Sequence, residues 1–444
     1  MLRGLAPAVR HLYALVFGVF IVYYPFGNGV FSVLPLAVLA YLALVLAPRR
    51  AGAVAWCTVF PYLILLHVMN ASGDAWKTGE MDFTGGAMVA VLKLIAMCAS
   101  RQDSFRKNKE DLSAYQASHA LASSPTPLEF VSYLFGLGNL LSGPFIEFAD
   151  YKDFIELKGL WSPTAPRPPP GGLLQGARTF AEGLLYVTAY LVLTGRGWGM
   201  EHYTSPWYYA QPLPLRCGTF LLIGLVFQLR YYFSWKMAEA GYVFAGLDFA
   251  DWDEETGKAK WGRCRNADFL GVWLADSARN VPLYWNIGTG IFLRRYVYER
   301  ITPKGRKPGF PALLFTQSVS GVWHGLYPGY IMFFVGTAVW IYFSQVLFKA
   351  ETYMPAGLRK SLPYRAVKTL WTAFVLNYMA SAFVLLDYKS SKEALSSLNY
   401  FPFILMAIVD MLGSFIKAKR VPKPPVDTPA AAAAATSRVF AKAE

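Results

Sequence analysis

The sequence predicts an all-α, polytopic membrane protein, and three observations lead to this fold class. Hydrophobic residues make up 55% of the 444 residues and charged residues only 16%, whereas about a quarter of the residues of a typical soluble domain are charged. Charge-free stretches of membrane-helix length recur along the chain, and the basic residues cluster between them. Helices are expected because a helix satisfies its own backbone hydrogen bonds inside a bilayer.

The apolar stretches set the expected number of helices. Those without any charge are residues 11–48, 51–73, 130–146, 280–293, 308–348, 369–386 and 394–409. Three more, interrupted or flanked by single charges, are residues 85–100, 183–195 and 217–235. Because a full span takes about 20 residues, we expect roughly nine to eleven transmembrane and re-entrant helices. The shorter stretches favour broken or re-entrant helices around a buried cavity.

The N-terminal segment resembles the start of a signal sequence, because Arg3 and Arg10 precede an apolar run. The apolar character continues to Pro48 without a small-residue cleavage site. We therefore expect a retained first hairpin that turns near residues 24–29.

Three polar segments separate the apolar stretches. Residues 101–127 and 152–172 are expected to be loops, and the second contains the run PTAPRPPPGG, which favours extended backbone. Residues 248–276 interleave three tryptophans with charges, as is typical of a packed element at headgroup depth. No internal repeat is found. We expect one membrane-embedded domain over residues 1–420 and a disordered, Pro/Ala-rich tail over residues 421–444.

The net charge of +14 could indicate nucleic acid. We do not expect such a partner, because the basic residues form short clusters, at residues 101–109, 294–307 and 417–423, and no soluble basic domain. By the positive-inside rule these clusters face the cytosol. They could also attract anionic headgroups or the phosphates of a cytosolic cofactor. The lipid bilayer is the expected partner, and the oligomeric state is left open.

Neither a metal site nor a disulfide is expected. The four cysteines form no C-x-x-C pair, and the five histidines show no H-x-x-x-H or H-E-x-x-H spacing. These are the spacings that commonly bind zinc. We therefore expect no metal and no bound cofactor.

His324 is the strongest candidate for chemistry. It lies in the phrase SVSGVWHGLYPGY, residues 318–330, inside a stretch without Asp, Glu, Lys or Arg. An ionisable residue in a membrane segment is a functional candidate, and imidazole titrates near neutrality, which suits it to take a proton from an alcohol. The alternative is a buried histidine that hydrogen-bonds a neighbouring carbonyl.

Asn286 is the second candidate, 38 residues before His324, in the phrase PLYWNIGTGIFLRRYVYER. An unpaired amide in a dry setting costs several kcal/mol, so this side chain needs a partner or a polar cavity. Its two donors and one acceptor could steady a carbonyl oxygen or hold a substrate hydroxyl. An interhelical hydrogen bond is the alternative role.

These phrases resemble the membrane-bound O-acyltransferase (MBOAT) superfamily, in which WHG supplies an active-site histidine and an upstream WN supplies an asparagine. Three further phrases resemble its lysophospholipid acyltransferase branch: MDFTGGAMVAVLKL at residues 81–94, LSGPFIEFADY at residues 141–151 and WGRCRNADFLG at residues 261–271. The resemblance extends from about residue 80 to residue 345, in the family's order.

The resemblance implies an MBOAT-type helical bundle in the endoplasmic reticulum membrane. It implies transfer of a fatty acyl group from acyl-CoA, as co-substrate, to the free hydroxyl of a lysophospholipid such as lysophosphatidylcholine, in phospholipid remodelling. The family's catalytic residues fall on His324 and Asn286. No covalent acyl-enzyme is required, and the cysteines offer no obvious nucleophile.

Seven residues are expected to bind or position the substrates: Trp285, Tyr296, Tyr298, Arg300, Ser320, Trp323 and Glu147. Arg300 could grip phosphate bidentately, and a salt bridge to Glu299 is the alternative. Ser320 precedes His324 by four residues, so on a helix it would lie on the same face and could orient the imidazole ring. Alternatively, the Ser320 hydroxyl bonds its own backbone.

The remaining candidates carry similar alternatives. Tyr296 and Tyr298 could line the entry or belong to an interfacial aromatic belt. Glu147 is expected to be structural or a gate. One position departs from the family: Phe292 stands where a tryptophan is usual, which changes the expected shape of the acyl tunnel.

Three competing functions fit parts of the pattern. An acyltransferase of the same superfamily could act on a neutral lipid, a sterol or a protein. A transporter could bind its substrate at His324 and Asn286, but it would be expected to show repeat symmetry. A non-catalytic scaffold would have no use for intact WN and WHG phrases.

Overall fold

The structure is a computed structural model that describes residues 4–70, 82–106, 112–302, 309–413 and 415. The chain divides into two compact units. The first comprises Met1–Gly183, Ser234–Asn266 and Ile291–Tyr296, and the second comprises Leu184–Phe233, Ala267–Gly290 and Val297–Glu444. The single domain over residues 1–420 stays a prediction. The expected tail, residues 421–444, lies outside the described residues.

Helices dominate the first unit. Its α-helices are Pro7–Phe26, Leu34–Leu46, Ala51–Asn70, Thr84–Asp103, Ala114–His119, Pro127–Phe135 and Phe148–Glu156. The 3-10 helices Gly27–Val33, Pro48–Arg50, Gly136–Leu141 and Gly159–Trp161 lie between them. The hairpin turn expected near residues 24–29 is not observed: these residues lie within one helical segment of 40 residues, Pro7–Leu46, which includes the 3-10 helix Gly27–Val33.

Two short strands form a ribbon in the tryptophan-rich segment of the first unit. Phe249–Trp252 and Ala259–Trp261 pair antiparallel, with Phe249 opposite Trp261 and Trp252 opposite Ala259. The Asp248 carboxylate, just before the ribbon, accepts the backbone N–H groups of Gly262 and Cys264, both at 2.7 Å. The phrase WGRCRNADFLG thus begins where a buried carboxylate anchors the chain after the ribbon.

The second unit is built from helices. Its α-helices are Pro206–Tyr209, Phe269–Trp273, Glu299–Ile301, Phe310–His324, Pro328–Glu351, Ala356–Lys360, Leu362–Leu385, Tyr388–Ser396 and Phe401–Gly413, and its 3-10 helices are Met200–Tyr203 and Val281–Leu283. The α-helices Leu173–Gly195, Leu213–Ala245 and Ile287–Phe292 and the π-helix Leu293–Tyr298 contribute residues to both units.

Five helical segments among the described residues are long and apolar enough to cross a membrane: Pro7–Leu46, Pro48–Asn70, Thr84–Asp103, Leu213–Ala245 and Pro328–Glu351. Tyr388–Ser396 and Phe401–Gly413, bent by 72°, would make a sixth if they form one broken span. The predicted all-α, polytopic membrane class is confirmed. The expected nine to eleven membrane helices stay a prediction.

Lys93 holds two helices of the first unit together. It lies in the Thr84–Asp103 helix and is only 2% exposed. Its ammonium donates to the carbonyl oxygens of Tyr133 at 2.5 Å and Leu134 at 3.1 Å. Both carbonyls are in the last turn of the Pro127–Phe135 helix, where a positive charge offsets the helix dipole. The only charge in this apolar stretch is therefore satisfied by a helix end.

Candidate active site

His324 is the last residue of the Phe310–His324 helix, which ends there because Gly325 follows. Gly325 has a φ of 137°, a conformation that residues with a Cβ avoid. Its N–H donates to the carbonyl oxygens of Gly321 and Val322, at 3.2 and 3.1 Å, which satisfies carbonyls at the helix end. The WHG phrase thus fixes the imidazole at a helix C-terminus, where the dipole stabilises a positively charged ring.

Four aromatic rings pack against the half-buried His324 imidazole. The Phe334 ring stacks on it, with 5.0 Å between ring centroids and 23° between planes. The rings of Phe383 and Trp323 meet it edge-on, with centroids 5.1 and 4.6 Å away. The Tyr330 ring lies 5.6 Å away. The ring therefore sits in an apolar enclosure and keeps partial access to its surroundings.

Gly329, of the YPG phrase, shapes this enclosure. Its N–H donates to the Leu386 carbonyl at 2.7 Å, and a Cβ at this position would lie 2.1 Å from the Ala382 carbonyl oxygen. Only glycine allows so close an approach. Because Phe383 follows Ala382, the contact also brings the Phe383 ring onto His324. Gly329 thus contributes to the site through packing.

Asn286 occupies a turn with a left-handed backbone. Its φ is 47°, a region that asparagine enters more readily than most residues. Its carbonyl accepts the N–H of Gly290 at 2.9 Å, which starts the following helix. The preceding Trp285 packs edge-on against Tyr232, with centroids 5.4 Å apart. The asparagine is therefore favoured here by backbone geometry as well as by any chemical role.

Tyrosine rings pack beside both Asn286 and His324, which belong to the second unit. Trp285 packs on Tyr231 with ring centroids 5.7 Å apart, and Tyr330 packs on His324. Each phrase therefore packs on a tyrosine of the second unit, Trp285 on Tyr231 and His324 on Tyr330.

Glu147 and Tyr296 come together in the first unit. The Glu147 carboxylate is 5% exposed, and one oxygen, Oε1, accepts the hydroxyls of Tyr115 at 2.7 Å and Tyr296 at 2.8 Å. The Tyr296 hydroxyl also lies 3.2 Å from the Ser100 Oγ. Burial raises the pKa of Glu147, while the His119 charge and the tyrosine hydrogen bonds oppose the rise. These contacts fit the structural role considered for Glu147.

A row of charged side chains, His119, Asp150 and Arg263, extends from this cluster. The His119 Nε2 lies 3.8 Å from the Asp150 carboxylate, which Arg263 approaches at 3.4 Å. Burial opposes a charge on His119, but its hydrogen bond to Asp150 and the charges of Glu147 and Asp150 outweigh it and raise the pKa of His119. Burial likewise opposes the Asp150 charge, yet His119 and Arg263 lower its pKa. We therefore assign an ion pair to His119 and Asp150.

The segment after Asn286 departs from the α-helical pattern. Leu293–Tyr298 is a π-helix, a rare geometry that is frequent at functional sites. Tyr296 is buried in it, 4% exposed, and stacks on Phe292 with centroids 5.3 Å apart. Tyr298 ends it, and Arg300 follows, partly buried, in Glu299–Ile301. Phe292 is 1% exposed, so the aromatic that replaces the expected tryptophan is part of the core.

Ser320 and Trp323 lie in the same helix as His324 and are 2% and 5% exposed. The expected role of Ser320 in orienting the ring stays a prediction. Parts of two basic clusters, and the third entirely, lie outside the described residues. Within the first basic cluster, Arg101 donates to the carbonyl oxygens of Leu121 and Ala122, at 3.0 and 2.9 Å. This guanidinium therefore has a structural role.

Sequence reasoning missed Tyr115, which hydrogen-bonds Glu147, and Ser100, which hydrogen-bonds Tyr296. Tyr115 lies in the segment expected to be a loop, and Ser100 lies at the end of an apolar stretch. Neither belongs to a motif, and both are far from Glu147 and Tyr296 in the chain. A capping box at Ser113 and Gln116 is the local signal that marks the Ala114–His119 helix. It predicts the helix, but not the hydrogen bond that Tyr115 makes.

The second unit of this helical membrane protein thus holds His324 at a helix end, in an aromatic enclosure, and Asn286 in a left-handed turn. The chain belongs to the membrane-bound O-acyltransferase family, whose model matches residues 68–391. It is therefore an integral membrane enzyme that transfers acyl groups.

Three relatives show how far the similarity extends. The chain is 36% identical over 420 residues to lysophospholipid acyltransferase 2 of Arabidopsis thaliana, covering 93% of this chain and 89% of the relative. It is 35% identical over 422 residues to lysophospholipid acyltransferase 1 of the same plant, covering 94% and 90%. A lysophospholipid acyltransferase of Schizosaccharomyces pombe is 28% identical over 421 residues, covering 91% and 80%. The similarity thus extends over nearly the whole chain.

Proposed function

We propose that this protein is a lysophospholipid acyltransferase that moves a fatty acyl group from acyl-CoA to the free hydroxyl of a lysophospholipid. Lysophosphatidylcholine is the first acceptor to test, and phospholipid remodelling is the proposed process. One observation carries the proposal: His324 lies at a helix C-terminus among aromatic rings, in a chain 36% identical to a relative named for this activity. Residence in the endoplasmic reticulum is inferred from the family resemblance.

His324 is proposed to act as the general base. The acceptor hydroxyl passes its proton to the imidazole while its oxygen attacks the carbonyl carbon of the thioester. The carbon–sulfur bond then breaks, and the imidazolium returns the proton to the departing CoA sulfur. A positioned base contributes roughly 10²–10⁴-fold to such a step. The helix C-terminus supports this role because it stabilises the imidazolium that forms midway.

Asn286 is proposed to donate its amide N–H to the carbonyl oxygen as negative charge develops there. A preorganised donor of this kind is worth about 10²–10³-fold in kcat. The left-handed turn supports the assignment, because it fixes the backbone from which the amide projects. Trp285, packed on Tyr231 and Tyr232, would keep that turn in place.

The other candidates are proposed to receive the substrates. Arg300 would bind a phosphate of CoA or of the acceptor, and Tyr298 would line the entry. Trp323 would bound the reacting groups beside His324, and Ser320 would orient the imidazole. These roles follow from the family phrases, and each is testable by a single substitution.

The experiment is acyl transfer from labelled oleoyl-CoA by the purified full-length protein. The acceptors are lysophospholipids with different headgroups, diacylglycerol and a sterol. Wild type is compared with His324→Ala and with the matched control His202→Ala, which removes a histidine of the same unit that belongs to neither motif. We expect product from lysophospholipids with wild type and with His202→Ala, and a loss of about 10²-fold or more with His324→Ala.

Each other outcome points to a different function. Product from a neutral acceptor alone would support the alternative in which the family chemistry acts on a neutral lipid or a sterol. Flux of a solute without acyl transfer would support a transporter. Near-normal turnover by folded His324→Ala would refute the general-base assignment.

A further inference from the structure

Three side chains that are distant in the sequence meet at one edge of the first unit. His11 lies one turn into the Pro7–Phe26 helix, Glu129 in the first turn of Pro127–Phe135, and Glu156 at the end of Phe148–Glu156. One potential ligand atom from each lies within 4.8 Å of the other two. None of them belongs to the acyltransferase phrases around His324 and Asn286.

The hydrogen bonds around His11 favour one tautomer of its ring. The Tyr151 hydroxyl donates to the Ser132 carbonyl at 2.9 Å, so the Ser132 hydroxyl, 2.5 Å away, donates to the Tyr151 oxygen. The Ser132 Oγ is then left to accept, and His11 Nδ1 lies 3.0 Å from it. This arrangement favours the neutral ring with its proton on Nδ1 and a lone pair on Nε2.

No donor among the described residues forms a hydrogen bond to this nitrogen. His11 is 2% exposed, and its Nε2 is buried without a hydrogen-bond partner among the described residues. A buried unsatisfied acceptor is costly. With two carboxylates nearby, the group that would satisfy it is a cation.

The carboxylates are held so that one oxygen of each remains available. The Glu129 Oε2 accepts the Thr126 N–H at 2.8 Å, and the Glu156 Oε2 pairs with the Lys158 ammonium at 2.5 Å. The Oε1 atoms of both face the Lys152 ammonium, at 2.7 and 3.6 Å. The Lys152 side chain is 29% exposed, so it can swing into water and leave these oxygens to another cation.

We propose that His11, Glu129 and Glu156 form a divalent-cation site that takes Zn²⁺, in competition with the Lys152 ammonium. One imidazole nitrogen and two carboxylate oxygens are a ligand set that zinc accepts, with water in the fourth position. Tetrahedral ligands about 2 Å from zinc lie about 3.3 Å apart, so small side-chain rotations close the present spacing. The Ser132 hydrogen bond supplies the outer contact that fixes a ligating histidine.

No motif in the sequence indicates this site, because its first and last residues, His11 and Glu156, are 145 positions apart and the three residues show no zinc-binding spacing. A bound ion would link the first helix to two others outside the catalytic phrases. The inference does not depend on the proposed acyl acceptor, because its readout is metal binding.

The test is Zn²⁺ binding to chelator-treated, full-length protein in detergent, by calorimetry and by metal content after dialysis. We expect about one ion per chain, with affinity at least tenfold weaker in Glu129→Gln and in Glu156→Gln, which keep the side-chain shape. His11→Gln should behave in the same way. Lys152→Met should bind about tenfold more tightly, because it removes the competing ammonium.

The control is His202→Gln, which removes a histidine that lies 3.4 Å from the Glu201 carboxylate, outside the proposed site. It should bind as wild type does. Equal binding by wild type and Glu129→Gln would overturn the proposal, as would the absence of tight binding in both wild type and Lys152→Met. Opposite effects of the glutamate and lysine variants cannot come from misfolding alone, since misfolding would weaken both.

Discussion

Glu147 and Tyr296, 149 residues apart in the sequence, are joined by a hydrogen bond of 2.8 Å from the tyrosine hydroxyl to the carboxylate. The same carboxylate oxygen accepts Tyr115, so one buried acid ties a short helix and a π-helix together. The Arg295 guanidinium covers the Tyr115 ring at 4.4 Å from its centroid. The polar cluster therefore fixes the segment that continues the WN phrase.

Substitution of Glu147 should separate its role as acceptor from its charge. Glu147→Gln keeps an oxygen for both tyrosines, and we expect a midpoint of thermal unfolding near that of wild type. Glu147→Ala removes the shared acceptor and should lower the free energy of unfolding by about 1–3 kcal/mol. Thermal unfolding of the purified variants measures both. An equal loss in the two variants would show that the buried charge itself is required.

Asn286→Gly should separate the amide from the backbone. Glycine adopts the left-handed conformation freely, so this variant should fold with wild-type stability and lose about 10²-fold in kcat with the amide. Asn286→Ala loses the amide and also strains the turn, so it should be less stable as well. Steady-state kinetics and thermal unfolding are the two measurements. Full activity in Asn286→Gly would remove the amide from the mechanism.

Gly329→Ala should damage the histidine's enclosure from a distance. Its Cβ would meet the Ala382 carbonyl, and overpacking of this kind costs about 1–3 kcal/mol. Because Phe383 would move with its helix, we expect a lower kcat in the protein that still folds. The matched control is Gly336→Ala in the same helix, where the nearest atom, Met379 Sδ, is 3.5 Å away. Equal effects of the two variants would contradict this account.

The His119 pair predicts the direction of one pH effect. Because the folded-state pKa of His119 is raised above its usual 6.5, its pairing with Asp150 stabilises the protein fully below about pH 6.5. That stabilisation is lost as the pH rises through the raised pKa. His119→Gln should flatten the fall in unfolding midpoint between pH 6 and pH 8.5. An unchanged slope would mean that other groups cause it.

Cys264 should be dispensable for chemistry. It is 1% exposed, and burial together with the charge of Asp248 raises the pKa of its thiol well above the usual value. A thiol that stays protonated is a poor nucleophile. Cys264→Ala should therefore retain most of the acyl transfer, measured at saturating acyl-CoA. Complete loss in a folded variant would reopen a covalent route through this sulfur.

The residues that sequence reasoning identified belong to motifs or apolar stretches whose members are neighbours in the chain. An apolar stretch predicts a membrane helix, and the phrases WN and WHG indicate the family because their residues are neighbours in the chain. Glu147 and its two partners, Tyr115 and Tyr296, come from three separate segments, and no local pattern in the sequence shows that they meet. The same reason kept His11 and its carboxylates from being recognised.

The type of helix at residues 293–298 could not be predicted from the sequence either. The π-helix at Leu293–Tyr298 differs from an α-helix only in which carbonyl each N–H selects, and the RRYVY letters fit either form. The number of spans does not follow from the length of an apolar stretch, for a related reason. Phe310–His324, of 15 residues, is shorter than the charge-free stretch that contains it, because Pro328 begins a new helix.

The rings around His324 affect a side reaction, the hydrolysis of the thioester. A thioester beside a base is open to attack by any hydroxyl, and water is the most abundant one. Phe334, Phe383, Trp323 and Tyr330 cover much of the imidazole with carbon, which disfavours a water molecule next to the proton-accepting nitrogen. A long-chain alcohol can displace that water at little cost. In the proposed reaction, the enclosure would therefore suppress hydrolysis of the thioester and make the fate of the acyl group depend on the lipid that arrives.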